Sequence, residues 1–354
     1  MERLSLRRRI ALEIHKKLQD DVIAEHPLRQ LFWECTLRCD LHCRHCGSDC
    51  KQTALAGDMP KEDFGRVLDS VSARTHPHKV MVNITGGEPL MRPDLDECGR
   101  MIYEKGFPWG MVTNALALTP ERYLRLLHNG LRAMSISLDG LEDSHDWMRG
   151  REGSFKRASA AIRMVTGSGA IAFDVVTCVN RRNFGQLAAL KEHLISLGVR
   201  DWRLFTVFPA GRAAGNPELF LSREELRGLM EFIRNTRKEG IVHTEFACEG
   251  FLGNYEGDVR DHFYMCNAGI TIGSVLADGS ISACPSIRAN YVQGNIYQDD
   301  FMEVWEKSYL PYRDRSWMYT DECAACPHWK YCRGGGMHLR DDDGNLIQCL
   351  LRRM

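Results

Sequence analysis

The hydrophobic positions of the chain follow two alternating patterns between about residues 28 and 210. Short apolar runs rich in β-branched and aromatic residues are typical of strands buried on both faces, and the runs between them have the apolar spacing of amphipathic helices. The six strand-like runs are LRQLFWEC, KVMVNITG, PWGMVTN, LRAMSISLDG, IAFDVVTCVN and WRLFTVFP. Because parallel crossovers are right-handed, this succession predicts an α/β fold with an open or closed barrel.

Several helices have recognisable ends, and polar segments follow the strands. In LTPERYLRLLHNG, Thr119 fits an N-cap, Pro120 the first helical position and Gly130 the stop. In LSREELRGLMEFIRNTRKEG, Ser222 and Glu225 fit a capping box. The strands lead into a cysteine-rich loop, GGEP, TN, SLDG, VNRRN and FPAGR. Since chemistry in such barrels lies at the carboxyl ends of the strands, these segments form the candidate site.

The two ends of the chain differ from this pattern. Leu6, Ile10, Ile14 and Leu18 recur at helical spacing among arginines and lysines, which indicates a basic amphipathic helix. It either packs on the body with a solvated outer face or contacts a partner or a membrane surface. Beyond about residue 245, short strands, turns and seven further cysteines follow, with a hairpin signal at Asp278-Gly279.

Length and charge limit the classes of protein. With 354 residues the chain exceeds the roughly 150 residues of an average domain. We expect a basic helix at 1–27, a barrel at 28–215, a linking helix and bridging region at 216–260, and a small cysteine-rich α+β domain at 261–354. A net charge of −1 gives no general attraction to nucleic acid.

The predicted cellular compartment and the number of cysteines together indicate metal chemistry. No apolar run is long enough for a signal peptide or a membrane span, so the sequence predicts a cytoplasmic protein. In a reducing compartment the fourteen cysteines are better suited to metal binding or redox chemistry than to a disulfide framework. Cys98 and Cys178 lie in helix and strand patterns and are expected in the core.

Five cysteines lie within the sixteen residues CTLRCDLHCRHCGSDC. Cys39, Cys43 and Cys46 have the spacing C-x3-C-x2-C, so three thiolates from one loop can hold three corners of a four-iron four-sulfur (4Fe-4S) cluster and leave one iron open. A zinc site is the alternative, but it needs a fourth ligand. The residues that could complete it are His42, His45 and Cys50. Cys35 and Cys50 are interpreted as packed thiols.

CDLHCRHC, GGEPL and SLDGLEDSHDWMRG follow the first, second and fourth strands and together resemble the radical S-adenosylmethionine (SAM) superfamily over about residues 28–210. The resemblance implies a partial TIM barrel of six strand-helix units. It also implies that SAM chelates the open iron of the cluster held by Cys39, Cys43 and Cys46. An electron from the cluster then cleaves SAM to methionine and a 5'-deoxyadenosyl radical, which abstracts a hydrogen atom from the substrate.

The same resemblance suggests which residues contact SAM. The segment Gly86, Gly87, Glu88 and Pro89 would hold its amino group, since glycines permit close approach of the backbone to a ligand. An arginine could pair bidentately with its carboxylate. The further candidates are Asn114 after the third strand, Ser137 and Asp139 on the fourth, either Arg149 or Arg157, and His45 near the adenine. No acid or base is assigned, because carboxylates such as Glu245 and Glu249 are expected to be solvated.

The C-terminal cysteines resemble the SPASM extension of many radical SAM enzymes. Their spacing is Cys-x12-Gly-x4-Cys, then Cys-x2-Cys-x5-Cys, then a terminal Cys. That extension carries up to two auxiliary iron-sulfur clusters. Cys323, Cys326, Cys332 and Cys349 supply four thiolates, so we expect at least one auxiliary 4Fe-4S cluster. A zinc ribbon at the first two is the alternative.

The chain departs from the SPASM pattern at Gly336, where a further cysteine is expected. Cys266 and Cys284 would remain for a second auxiliary cluster, with Cys248 and, less readily, His338 as substitutes. Two thiolates alone rarely hold a cluster. The second cluster is therefore expected to be absent, open at one iron or unusually ligated.

The resemblance to SPASM-type radical SAM enzymes implies a function. Most of these enzymes modify peptides or proteins, so we predict a maturase-type enzyme acting on a peptide or protein and reduced by a flavodoxin or ferredoxin. Only about 27 residues precede the first strand, so we do not expect a separate domain to recognise a leader peptide; the basic N-terminal helix or a partner protein would take that role. A small-molecule dehydrogenase or rearrangement enzyme is the alternative, and a non-enzymatic zinc or redox protein is a further one.

Overall fold

The computed structural model describes residues 4–48, 50, 57–247 and 249–354. The strands in these residues are β1 Gln30–Glu34, β2 Met81–Thr85, β3 Trp109–Thr113, β4 Leu131–Ser137, β5 Ala172–Val179, β6 Asp201–Thr206, β7 His243–Phe246, β8 Ile272–Val275, β9 Ser280–Ser282 and β10 Gly294–Asn295. They form one sheet in the order β10-β9-β8-β1-β2-β3-β4-β5-β6-β7.

Helices connect most of these strands. The α-helices are α1 Leu6–Glu25, α2 Lys61–Ser72, α3 Leu95–Glu104, α4 Pro120–His128, α5 Glu142–Arg149, α6 Ser154–Ser168, α7 Arg181–Phe184, α8 Leu187–Ser196, α9 Arg223–Glu239, α10 Phe301–Lys307, α11 Leu310–Arg313, α12 Asp321–Ala324, α13 Trp329–Cys332 and α14 Leu350–Arg353. One-turn 3-10 helices lie at Pro77–Lys79, Pro89–Met91, Gly211–Ala213, Pro217–Leu219, Gly253–Tyr255, Ser316–Met318 and Met337–Leu339. Within the described residues, no helix combines the length and apolar character needed to cross a membrane.

The first six strands confirm the six predicted strand-helix units of a partial barrel. Each of β1 to β6 pairs in parallel with the next, and β7 extends the row by pairing in parallel with β6. Alternate side chains of each strand pack against the helices. Trp33, for example, is fully buried and stacks on Phe64 of α2 with ring centroids 4.3 Å apart. The other set of side chains lines the concave inner face.

The predicted helix ends are also confirmed. Thr119 caps α4 by accepting a hydrogen bond from the backbone N–H of Arg122. Ser222 and Glu225 form the capping box of α9, and Gly240 ends that helix in the left-handed conformation. A helix end depends on residues three or four positions apart, so it can be predicted from the sequence.

The cysteine-rich region continues the barrel sheet. Strand β8 pairs in parallel with β1, and the predicted hairpin forms where β8 and β9 pair antiparallel around Asp278 and Gly279. The buried carboxylate of Glu34, the last residue of β1, accepts hydrogen bonds from Ala277 N at 3.2 Å and from Arg288 Nη1 at 3.1 Å. Backbone pairing and the ion pair of buried Glu34 with Arg288 therefore join the two parts of the chain.

Helix α1 lies on the body of the protein, but its apolar stripe does not face that body. Leu6, Ile10, Ile14 and Leu18 are between 56 and 70% exposed. The helix is instead held by buried Leu12 and by ion pairs and hydrogen bonds to the C-terminal part of the chain. Those contacts are Arg8 to Asp258, Glu13 to Lys330, Gln19 to Tyr264 O and Asp20 to Arg333.

Candidate iron-sulfur and SAM site

The loop after β1 brings the three predicted ligands to the carboxyl end of the strands. Cys39 and Cys46 are half-buried and Cys43 is buried. Burial raises the pKa of the Cys39 thiol to about 12 and also raises that of Cys43, whereas the neighbouring Cys50 thiol lowers the pKa of Cys46 to about 5. Since the thiolate is the ligand form, a bound metal would have to displace the protons of the first two.

The spacing of the sulfur atoms argues against a single zinc ion. Among the described residues, two sets of at least three ligand atoms lie within 4.8 Å of one another, and the triplet of loop cysteines is in neither. Ligands of one ion must converge on one point, whereas thiolates of a 4Fe-4S cluster bind different irons and stand further apart. The arrangement therefore fits a cluster better than a lone ion. Cys35 is buried, as expected for a packed thiol, whereas buried Cys50 also contacts the Cys46 thiol.

A loop far along the sequence clamps the cysteine loop. Arg212 donates from Nε to Cys43 O at 2.7 Å and from Nη1 to Cys50 O at 3.0 Å, and its backbone N–H reaches Cys46 O at 3.0 Å. Gly211 has φ +55°, and an added Cβ would lie 2.4 Å from Cys46 O. The segment FPAGR was recognised as a polar segment after a strand, but nothing in the sequence indicated this contact.

The two glycines of GGEP lie close to the protein backbone. An added Cβ at Gly86 would lie 2.2 Å from Thr36 O, and one at Gly87 would lie 2.2 Å from Arg38 O. Gly87 N donates to Thr36 O and Glu88 N donates to Arg38 O, both at 2.8 Å. GGEP thus fixes the start of the cysteine loop against the end of β2.

The Glu88 side chain is buried and already has protein partners. It accepts hydrogen bonds from Thr113 Oγ1 at 2.7 Å, from Asn114 N at 2.7 Å and from Leu90 N at 3.0 Å. Burial raises the pKa of Glu88 to about 7. Asn114 also donates from Nδ2 to Asp40 Oδ1 at 2.8 Å, so these residues tie β3 to the cysteine loop. Pro89 is buried at the first position of the following 3-10 helix.

Behind Cys43 lies a buried arginine–aspartate pair. Arg149 Nη2 is 2.8 Å from Asp139 Oδ2, and Arg149 Nη1 is 3.8 Å from Cys43 Sγ. Burial opposes ionisation of Asp139, but the Arg149 guanidinium outweighs it and holds the pKa of that carboxyl below its usual range. Arg157, the other arginine considered, is exposed on α6. Ser137 is half-buried at the end of β4.

His45 points into the same buried group. Its Nε2 is 3.7 Å from Asp139 Oδ2, its Nδ1 has no hydrogen-bond partner among the described residues, and burial lowers its pKa to about 4. Cys178 lies with them, within 4.8 Å, and is half-buried rather than in the core where it was expected. Cys98, in contrast, is fully buried in the core as predicted.

A second cysteine site lies in the C-terminal region. A pocket with mostly apolar walls is lined by Cys323, Cys326, Cys332 and Cys349. Burial raises the pKa of Cys332, and the charges of the other three thiols raise it further. Arg340 Nη2 lies 3.5 Å from Cys323 Sγ, so its positive charge can stabilise a thiolate in this pocket. Four convergent thiols in one pocket fit a cluster.

The remaining candidates supply two described thiols, Cys266 and Cys284, for a further cluster. Burial by itself would raise the pKa of Cys266, but the adjacent Arg315 guanidinium lowers it. At Gly336 an added Cβ would lie 2.7 Å from the His338 ring and 3.0 Å from Glu249 O, so the ring and a carbonyl occupy the space of the missing cysteine. Cys248 lies outside the described residues.

Glu249 is not solvated as the sequence suggested. It is buried, and its carboxylate accepts hydrogen bonds from Thr206 N and Thr206 Oγ1, both at 2.5 Å. Burial raises its pKa to about 7. Glu245 is half-buried on β7 and accepts from Asp261 N at 2.9 Å.

A partial barrel of parallel strands with a three-cysteine loop at its carboxyl end, joined to a second cysteine pocket, is the architecture of an iron-sulfur enzyme. Residues 33–194 match the radical SAM superfamily, and residues 266–327 match the SPASM iron-sulfur cluster-binding domain. The chain is therefore a radical SAM enzyme with a SPASM domain. Its cofactors are 4Fe-4S clusters and SAM.

Relatives of known activity differ in what they act on. The chain is 27% identical to the AdoMet-dependent heme synthase of Nitratidesulfovibrio vulgaris over 320 residues, which cover 85% of both chains. It is also 27% identical to the mycofactocin maturase MftC of Mycobacterium tuberculosis over 311 residues, covering 87% of this chain and 78% of that one.

Solved structures share the fold. SuiB of Streptococcus suis bound to S-adenosylmethionine superposes with a TM-score of 0.69 at 18% identity, covering 90% of this chain and 76% of SuiB. The structure of anSMEcpe with bound AdoMet superposes with a TM-score of 0.70 at 18% identity, covering 92% and 91% of the two chains.

Proposed function

We propose that this radical SAM enzyme modifies a peptide or protein, with Cys39, Cys43 and Cys46 as ligands of the SAM-binding cluster. When bound, the reduced cluster supplies an electron that cleaves SAM and yields a 5'-deoxyadenosyl radical able to remove a hydrogen atom from the substrate. The chain's own residues hold the loop in place. Arg212 fixes its backbone from one side, and the GGEP segment fixes it from the other.

The observation that carries the substrate class is a row of polar side chains on the concave face of the barrel. Ser135 donates to Asp174 Oδ1 at 2.5 Å, and Arg203 pairs with Asp174 and donates from Nη2 to Ser135 Oγ at 2.9 Å. Glu245 lies opposite Arg203 on the neighbouring strand. These side chains can exchange hydrogen bonds with peptide amides, each of which offers one donor and one acceptor.

A macrocycle with large apolar faces suits this lining less well, because an apolar surface offers these polar side chains no further hydrogen bonds. The relatives named mycofactocin maturase and the SuiB structure solved with its precursor peptide SuiA support the peptide assignment. Cys323, Cys326, Cys332 and Cys349 are proposed to hold one auxiliary cluster. In the same proposal Arg149, Ser137, Asn114 and His45 remain the side chains nearest to bound SAM.

The test is mass spectrometry of a small peptide encoded beside the gene, co-expressed with the enzyme. We expect a mass change in the peptide that requires Cys43. Arg203→Gln should lower the yield of modified peptide about tenfold, the equivalent of losing about 1.5 kcal/mol of charge-assisted hydrogen bonding. It should leave release of 5'-deoxyadenosine without peptide unchanged. Arg200→Gln, an exposed arginine just before β6, is the control.

A second candidate is chemistry on an iron porphyrin. It is favoured by the relatives named AdoMet-dependent heme synthase, one of which matches over 85% of both chains. Incubating the reduced enzyme with SAM and iron-coproporphyrin III separates the two candidates. A porphyrin product formed with 5'-deoxyadenosine, together with an unmodified peptide, would overturn the peptide proposal.

A further inference from the structure

A cleft opens between α1 and the cysteine-rich domain. Its volume is about 340 Å³, and Lys16 and Gln19 of α1 form one wall. The opposite wall includes Cys332, which also lines the four-cysteine pocket proposed to hold the auxiliary cluster. The cleft is thus a route by which a partner can approach the proposed cluster ligands from the surface.

The lining of this cleft is cationic. It contains five cations and one carboxylate, Asp314, although the net charge of the whole chain is −1. The five cations are Lys16, Arg313, Arg315, Lys330 and Arg333. Two of them are neutralised by α1, since Glu13 pairs with Lys330 and Asp20 with Arg333.

The other three cations are Lys16, Arg313 and Arg315. They have no ion-pair partner in the part of the chain that the structure describes. Arg313 donates to the carbonyls of Gly269, Glu306 and Trp305, and burial lowers its pKa to about 10. Arg315 is buried and donates to the carbonyls of Tyr312, Gly335 and Cys266. Carbonyl oxygens satisfy these donors without cancelling their charge, so a positive potential remains in the cleft.

The solvent face of α1 extends this surface. Lys17 is exposed there, one turn before the exposed Asp21, and has no ion pair within 4.0 Å among the described residues. Ile10 and Ile14 are 56 and 62% exposed on the same face. Cations beside exposed apolar side chains form a surface that an acidic protein can cover.

We propose that the cleft and the adjoining face of α1 dock an acidic one-electron carrier protein, of the flavodoxin or ferredoxin type, that reduces the enzyme through its auxiliary domain. The proposal rests on the assignment of Cys332 and its three partners as cluster ligands. In the transfer the carrier loses one electron and the enzyme gains it, with no bond made or broken. Encounters between redox proteins bury little area, so charge complementarity supplies much of their association rate.

The test uses the reconstituted enzyme and a flavodoxin of strongly negative net charge. Lys16→Glu/Lys17→Glu reverses one charge in the lining of the cleft and one on the adjoining face of α1. We expect the Kd for oxidised flavodoxin, measured by flavin fluorescence at low salt, to rise at least about tenfold, and its salt dependence to flatten because these contacts are screened. Release of 5'-deoxyadenosine driven by flavodoxin hydroquinone should fall, whereas release driven by dithionite should not.

Lys238→Glu is the matched control. Lys238 lies in a separate basic cleft with Arg234 and Arg237, whose lining contains no cysteine. We expect the control variant to bind flavodoxin as the wild type does. If reversal of Lys16 and Lys17 prevents folding, the milder Lys16→Gln/Lys17→Gln should raise the Kd about threefold.

Three results would overturn the proposal. They are an unchanged Kd in the cleft variant, an equal loss of affinity in Lys238→Glu, and loss of binding to an acidic substrate peptide with flavodoxin binding intact. Failure of the radical SAM assignment can be distinguished from failure of the docking proposal, since the wild type would then release no 5'-deoxyadenosine even with dithionite.

Discussion

At the scale of single residues, the site depends on close backbone contacts more than on free polar side chains. Gly86 and Gly87 are required where GGEP meets the backbone of Thr36 and Arg38, and Gly211 is required where FPAGR meets Cys46. A side chain at any of these positions would collide with a carbonyl oxygen. The cysteine loop is therefore held by neighbours that contribute no ligand.

Gly211→Ala tests this clamp. Its φ of +55° costs an L-residue about 1–2 kcal/mol, and the new Cβ would lie 2.4 Å from Cys46 O. We expect the variant to fold but to retain about four fewer irons per chain after reconstitution, the content of one cluster. Iron and sulfide analysis measures this. Gly215→Ala, where an added Cβ meets nothing within 4 Å, should retain full iron; equal iron in both variants would contradict the clamp.

At the scale of elements, neighbouring strands of the barrel are joined by charged side chains as well as by backbone pairing. His243 at the start of β7 lies 3.1 Å from Asp201 of β6 and 3.0 Å from Asp261 in the loop beyond. Partial burial opposes its protonation, but hydrogen bonds to Asp261 and Asp201 outweigh burial and raise its pKa above the ordinary 6.5. Protonated His243 thus ties the edge strand to the sheet.

The raised pKa of His243 predicts how stability varies with pH. A folded-state pKa above the unfolded value gives stabilisation that is complete below 6.5 and is lost as pH rises through the folded pKa. Between about pH 6 and pH 8, the melting temperature should therefore fall less in His243→Gln than in the wild type. His128→Gln, at an exposed position of α4, is the control. If the melting temperature of His243→Gln fell with pH as steeply as that of the wild type, the link between His243 protonation and stability would be refuted.

At the scale of the whole molecule, the cysteine-rich domain and the barrel share one sheet through the pairing of β8 with β1. The three-cysteine loop and the four-cysteine pocket give two cluster sites. A third site would need a cysteine in place of Gly336. The His338 ring and Glu249 O occupy the space that such a side chain would need.

The number of irons follows from these sites. Two clusters of four irons predict about eight irons per reconstituted chain. Inductively coupled plasma analysis with protein determined by amino-acid analysis measures the ratio. About twelve irons would show that other ligands complete a second auxiliary cluster.

The sequence predicted the structural features that depend on residues close together in the chain. The six strands, the caps at Thr119 and Ser222 and the hairpin at Asp278 depend on residues a few positions apart. The contact of Arg212 with Cys43 joins residues 169 positions apart, so no local pattern contains it. The outward-facing stripe of α1 was unpredictable for the same reason, because ion pairs to distant parts of the chain decide which side of the helix packs.

The most direct test of the account is release of 5'-deoxyadenosine from SAM by dithionite-reduced protein, compared between the wild type and Cys43→Ala. If three thiolates hold a cluster with one open iron, the wild type releases the nucleoside and the variant falls to the background of buffer, because two thiolates rarely retain a cluster. Undiminished release by Cys43→Ala, or none by the iron-loaded wild type, would contradict the assignment.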